Sequence, residues 1–248
     1  DLPVSGIEGQ AVCPAPYFDP APRTFTGQTA VSLACAEAAA TIRYTLDGSL
    51  PGEGAALYER PLEISESAVL TARAFADGMI PSGPARAVMR RIDPGVTVSL
   101  TSPYSSMYDG GGELALVDGI RGGRDFRTGG WQGFRGVDLE AVVDLGGERP
   151  VEAVSAGFLH DQGAWIFLPR RVEFAVSSDG GDFEVVFVST PPLGDREGDA
   201  AVWEAGSGDI GRRARFIRLR AESIGECPRW HPGSGGRTWI FVDEITVE

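Results

Sequence analysis

Short apolar runs, most of them alternating with polar or small residues, recur along the whole chain. Val31, Leu33 and Cys35 would share one face of an extended segment, as would Ile42, Tyr44 and Leu46 ahead of the turn Asp47–Ser49, and this period of two predicts an antiparallel pair. AVLTARAF at Ala68–Phe75 predicts another strand ending at the Asp77-Gly78 turn, and SGPARAVMRR closes a first sandwich. The pattern restarts at Val98, with strands expected over 137–145, 151–159, 171–177, 183–189, 214–221 and 239–247. No stretch carries the capped 3.6-residue period of a long helix. The reading is all-β. Residues 1–12 carry no pattern, residues 13–92 form a small Ig/Fn3-like β-sandwich, and residues 96–248 form a larger sandwich. Between the two, RRIDPGVT is a connector too short for a flexible tether.

Composition supports many short strands, because 34 glycines and 17 prolines punctuate the chain at turns instead of forming one biased block. A net charge of −13 would repel a phosphate backbone or an anionic bilayer, so neither nucleic acid nor membrane insertion is expected. All 22 basic residues are arginine, and asparagine is absent, which excludes an N-glycosylation sequon. A GC-rich genome, adaptation to salt and adaptation to heat would each produce that bias. With no leader-like or membrane-spanning stretch, the chain reads as a mature or trimmed form, secreted or held at the cell surface. Of the three cysteines, Cys13 and Cys35 fall where neighbouring strands would bring them together, either as a bridge or as two buried thiols; Cys227 stands apart.

Catalytic chemistry finds little support. A glycosidase needs two carboxylates about 5–10 Å apart across a rigid cleft, whereas Asp243 and Glu244 would face opposite sides of one strand. G-x-S-x-G, H-E-x-x-H and C-x-x-C are absent, and GSGG at Gly233–Gly236 is too generic for a phosphate loop. Sugar recognition asks instead for an aromatic face against the C–H patch of a pyranose, flanked by polar groups for its hydroxyls. Two loops qualify, each with one of the two histidines and a tryptophan: HDQGAW, with His160, Asp161, Gln162 and Trp165, and PRWHPG, with Arg229, Trp230 and His231. Trp230, among Pro and Gly, is expected to be an exposed platform, while Trp131, Trp165 and Trp239 have an equally ready reading as the floor of the sandwich.

TIRYTLDGSLP together with PLEISESAVLTARAFADGMIPS resembles the chitobiase/hexosaminidase C-terminal (Fn3-associated) domain over roughly residues 16–90, with Tyr44, Asp47, Gly48, Pro51, Tyr58, Pro61 and Ala72 carrying the likeness. That resemblance implies a spacer. LALVDGIRGG, GGWQGFRGVDLEAVVDLG, FLHDQGAWIFLPRRVEFAVSSDGGDF and CPRWHPGSGGRTWIFVDEITV together resemble the discoidin-like, coagulation-factor type C domain in the version found C-terminal to bacterial β-hexosaminidase-type glycoside hydrolases. The second resemblance implies a jelly-roll sandwich whose end loops bind glycans, often beside a structural calcium ion. Strict alternation puts Glu244 on the apolar face of Ile240 and Val242, so it is either solvated or partnered. The family likeness supplies Ca2+ as that partner, with Asp118, Glu244 and carbonyls near Ala115, Ile120 and Gly123 as ligands and Asp125 in place of the family's further ligand. An ion pair with Arg121, Arg124 or Arg127 is the competing reading. Three functions follow as expectations: a non-catalytic carbohydrate-binding module or lectin targeting a partner or cell to a glycan or polysaccharide; an accessory fragment serving the catalytic domain of a β-hexosaminidase or fucosidase; and a structural or adhesion protein contacting cell-surface proteins.

Overall fold

The computed structural model describes residues 11–19, 24–191 and 199–248. Most of the patternless 1–12 segment and the end of the proline-bearing run Cys13–Pro22 lie outside the described residues. The chain divides into two compact units, Asp1–Arg91 and Ile92–Glu248. No helix among the described residues is long and apolar enough to cross a membrane.

The first unit is built from β1 (Tyr17–Asp19), β2 (Thr24–Thr26), β3 (Thr29–Ala34), β4 (Thr41–Thr45), β5 (Ala56–Leu57), β6 (Leu62–Ile64), β7 (Ala68–Phe75) and β8 (Ala85–Ile92). Two sheets, ordered β1-β3-β6 and β2-β8-β7-β4-β5 among the described residues, close on a core of Phe25, Val31, Leu33, Ile42, Ile64, Leu70, Ala72 and Met89. The alternating positions Val31, Leu33 and Ile42 point inward, as their pattern requires. Leu46 does not. Strand β4 stops at Thr45, where the Thr45 hydroxyl donates to Ser49 O and Asp47 accepts from Ser49 N and Oγ, so the turn begins one residue early and leaves Leu46 exposed.

The second unit contains β9 (Thr97–Leu100), β10 (Gln132–Arg135), β11 (Leu139–Val151), β12 (Val154–His160), β13 (Arg171–Ser177), β14 (Glu184–Ser189), β15 (Ala201–Ser207), β16 (Arg212–Glu222) and β17 (Trp239–Val247). A four-stranded sheet, β10-β17-β12-β15, and a five-stranded sheet, β14-β13-β16-β11-β9, enclose one core that includes Phe134, Leu139, Phe158, Phe174, Ile217, Leu219 and Ile240. The expected break at DLGGERP is an irregularity inside β11, where the register on β16 moves from Asp144↔Phe216 to Arg149↔Ala214. Gly146 makes this detour with φ +78 against the backbone of Gly95, and an added Cβ would lie 2.9 Å from it. Val151 therefore ends β11 instead of opening β12. Strands β9, β10 and β15 were not expected from alternation.

Strand β17 departs from strict alternation in a way that matters for the site. It pairs with β12 as Phe158↔Val242 and then Ala156↔Ile245, so Asp243 and Glu244 together oppose Gly157 in a β-bulge. The bulge shifts the phase by one residue, letting Ile240, Val242 and Ile245 all enter the same core. Both carboxylates consequently lie buried at the bulge, and the expected placement of Glu244 beside Ile240 and Val242 is corrected.

Candidate functional site

Two loops of the second unit are brought together. After β12, Asp161 caps a 3-10 turn over Gln162–Ala164 by accepting from Ala164 N. Trp165 follows with φ 66, the one non-glycine residue at positive φ among those described, a conformation costing on the order of 1 kcal/mol that its surroundings must offset. Its indole lies against Gly233 and Gly236, where an added Cβ would come within 2.5 and 2.6 Å of the ring. The glycines of GSGG therefore serve indole packing. The second loop is closed by the bridge Glu226↔Arg237 and by Cys227 N donating to Gly236 O at 2.7 Å.

His231 pins one loop to the other. Its Nδ1 accepts from Gly233 N at 3.0 Å, which leaves the proton on Nε2 to be donated to Gln162 O at 2.9 Å. Its ring contacts Phe167, Trp230 and Trp165 with centroids 5.4, 5.8 and 6.3 Å away. Phe167, buried, also meets His160 and Trp230, both at 6.4 Å. On this fixed base Trp230 keeps 40% of its surface exposed, whereas His231 keeps 7%. Arg229 is exposed beside it, and Asp161 and His160 are half-buried. Burial pushes the His160 pKa down, which keeps its ring neutral at pH 7. Arg127 is near enough for its charge to act on Asp161. An exposed indole on a rigid base, ringed by guanidinium, carboxylate and imidazole, can stack on a flat apolar face while hydrogen-bonding groups at its rim.

A second assembly surrounds the β17 bulge. Asp243 accepts from Gly122 N and Gly157 N, each at 3.0 Å, and from Arg121 Nε at 3.1 Å; Arg121 also pairs with Glu204. Glu244 Oε2 accepts from Gly119 N at 2.9 Å, and Asp118 Oδ1 accepts from Ile120 N at 2.8 Å. Burial, reinforced by the charges of Asp118 and Asp243, pushes the Glu244 pKa up to about 8. Burial raises Asp243 as well, against the opposing pull of the Gly122 amide and Arg121. Asp118 and Glu244 are thus two buried carboxylates that repel each other, which is the charge and donor chemistry a hard cation requires. Among the described residues no three His, Cys, Asp or Glu side chains are gathered to hold a metal, so such an ion would also draw on loop carbonyls.

The predicted residues divide by this geometry. Trp230, Arg229, Trp165, His160 and Asp161 offer surface, whereas His231 and Gln162 are interior braces. Asp125 is engaged elsewhere: it caps the 3-10 turn Phe126–Thr128 and binds Arg127 Nε at 2.8 Å, which holds its carboxyl below the usual range. Trp131 is buried and donates to Gly123 O at 2.9 Å; Trp239 packs with Tyr108 and Phe241. Sequence reasoning missed Phe167, whose apolar run WIFLP reads as core, and Asp243, whose role needs the bulge. A cleft of about 370 Å3 elsewhere, lined by Glu140, Arg171, Glu173 and Arg220, is walled by charges that pair with one another.

The chain is similar to several solved structures. A family 32 carbohydrate-binding module from Clostridium perfringens in complex with galactose matches at 18% identity, covering 62% of this chain and 93% of that one, with a TM-score of 0.39. A second Clostridium perfringens module, in complex with GalNAc-β-1,3-galactose, matches at 16% identity over 62% and 94% of the two chains, with a TM-score of 0.39. The C-terminal domain of a chitobiase from Bacteroides fragilis matches at 17% identity over 62% and 93%, with a TM-score of 0.36. No curated protein matches. Residues 20–85, within the first unit, match the family model of the chitobiase/beta-hexosaminidase C-terminal domain.

Proposed function

We propose that the second unit is a non-catalytic, secreted carbohydrate-binding module whose sugar site is the loop cluster around Trp230. The observation that carries this reading is the pairing of an exposed indole with a buried base: His231, hydrogen-bonded at both ring nitrogens, and Phe167 hold Trp230 in place before any ligand arrives. Preorganisation of this kind lowers the entropy lost on binding. Trp230 stacks on the C–H face of a pyranose, and Arg229, Asp161 and His160 address its hydroxyls, with Trp165 forming the adjoining wall. His231 and Gln162 position the platform and do not touch the sugar.

A calcium ion held by Asp118 and Glu244, with carbonyls of the 115–123 loop, would neutralise the two buried carboxylates and fix that loop. Its contribution is structural. The match of residues 20–85 to a domain family named for chitobiase and β-hexosaminidase C-termini favours service to a glycoside hydrolase, with the first unit as spacer and the second raising local substrate concentration.

A glycan array probed with the full chain, with and without EDTA, tests the reading. Binding to a defined set of glycans that Trp230→Ala abolishes is expected. No binding to any glycan at high protein concentration would overturn it. Binding untouched by Trp230→Ala would retain the function and displace the site.

A further inference from the structure

Cys13 and Cys35 lie close together in the first unit. Cys13 precedes β1, is 2% exposed, and is fixed by its N–H donating to Ile80 O at 2.9 Å. Cys35 directly follows β3. The antiparallel register of β1 on β3, Tyr17↔Ala34 through Asp19↔Ser32, carries the residues just before β1 alongside those just after β3. Cys35 Sγ donates to the carbonyl of Pro14, the residue after Cys13, at 3.3 Å. Burial pushes the Cys13 thiol pKa up, and the neighbouring Cys35 thiol pushes it further. With Cys35 Sγ on the carbonyl next to Cys13, and the backbone held by the sheet on one side and the Ile80 contact on the other, the two thiols are placed for exchange with one another. Cys227, in the second unit, is buried and its thiol pKa is raised by that burial.

We propose that Cys13 and Cys35 form a reversible structural disulfide that staples the segment before β1 to the end of β3 whenever the protein is in an oxidising compartment. The oxidant is a small-molecule disulfide such as oxidised glutathione. Cys35, the more exposed of the two, attacks as thiolate; the S–S bond of the oxidant breaks, and one glutathione thiolate leaves with the electron pair and takes up a proton. Cys13, deprotonated in turn, attacks the Cys35 sulfur of the mixed disulfide and displaces the second glutathione thiolate, which is also protonated. Two protein thiols become one disulfide, and one oxidised glutathione becomes two reduced. The bridge closes a loop of about 22 residues, and it stays open in a reducing cytosol.

The full chain is incubated with oxidised glutathione, denatured and assayed for free thiols, intact mass and linked peptides. The titratable thiols are expected to fall from the three of the sequence to one, with loss of two hydrogens in mass and a non-reduced peptide joining Cys13 to Cys35. The unfolding midpoint of the first unit rises by about 10 °C and returns on adding dithiothreitol. Cys35→Ser abolishes the mass loss, whereas Cys227→Ser leaves the bridge intact. Three thiols persisting after the incubation, stable glutathione adducts in place of a bridge, or a linked peptide containing Cys227 would each overturn the proposal.

Discussion

The two sandwiches obey the same packing rules and differ in what they add to a core. In the first unit one apolar cluster between two sheets accounts for most of the buried residues of its strands, and the Asp47-Gly48-Ser49 turn is satisfied by its own side chains. The second unit has the same plan and two further assemblies. One is an aromatic group of His160, Trp165, Phe167, Trp230 and His231; the other is the group of buried carboxylates at the β17 bulge. Both carry strain or charge that a fold without a task has no reason to keep, namely the left-handed Trp165 and the raised Glu244. Buried charge and strained backbone thus gather where loops are pinned to one another or to a bulged strand, not where the sheets are most regular.

The contrast can be broken most strongly at Gly157. A Cβ there would lie 2.5 Å from Asp243 Oδ1 and 2.9 Å from Arg121 Nη2. Gly157→Ala should therefore destabilise the second unit by about 3 kcal/mol, leaving the first unit's transition where it was in a two-transition calorimetric scan.

The next largest effect is the titration of Glu244. Its folded pKa of about 8 lies above the unfolded value near 4.3, so in that interval the folded state holds a proton the unfolded state has lost. Stability contributed by the protonated form is fully present below about 4.3 and is lost as pH rises to about 8. In EDTA the second unit should lose on the order of 2–4 kcal/mol across that window. Calcium should flatten the profile and Glu244→Gln should remove it, as chemical denaturation at each pH would read.

Gly233→Ala, which drives a methyl into the Trp165 indole, should destabilise the second unit by about 2 kcal/mol and weaken glycan binding along with it. The same substitution at Gly52 in the first unit meets nothing within 4 Å and should change stability by less than about 0.5 kcal/mol.

Alternation along the chain is enough to read strands whose faces differ sharply, such as β11 over residues 139–145. It misread DLGGERP as a turn because an irregularity within β11 and a chain reversal use the same Gly and Asp residues. Strand β10, QGFR, is four residues with three of them buried, too short and too uniformly interior to alternate. The bulge in β17 is set by what Gly157 on β12 can accommodate, which no local pattern in VDEITV reveals. At the site, loop composition singled out Trp230 and the two histidines. It could not tell that His231 faces inward, because its partner Gln162 O lies 69 residues away and is a backbone atom with no signature in composition.

The sugar platform at Trp230 is tested by titrating the best array glycan into the wild-type chain and into Trp230→Ala by calorimetry. At least a tenfold loss of affinity, about 1.4 kcal/mol, is expected, with the second unit's unfolding midpoint within about 3 °C of wild type. Equal affinity of the two proteins for the same glycan would contradict it.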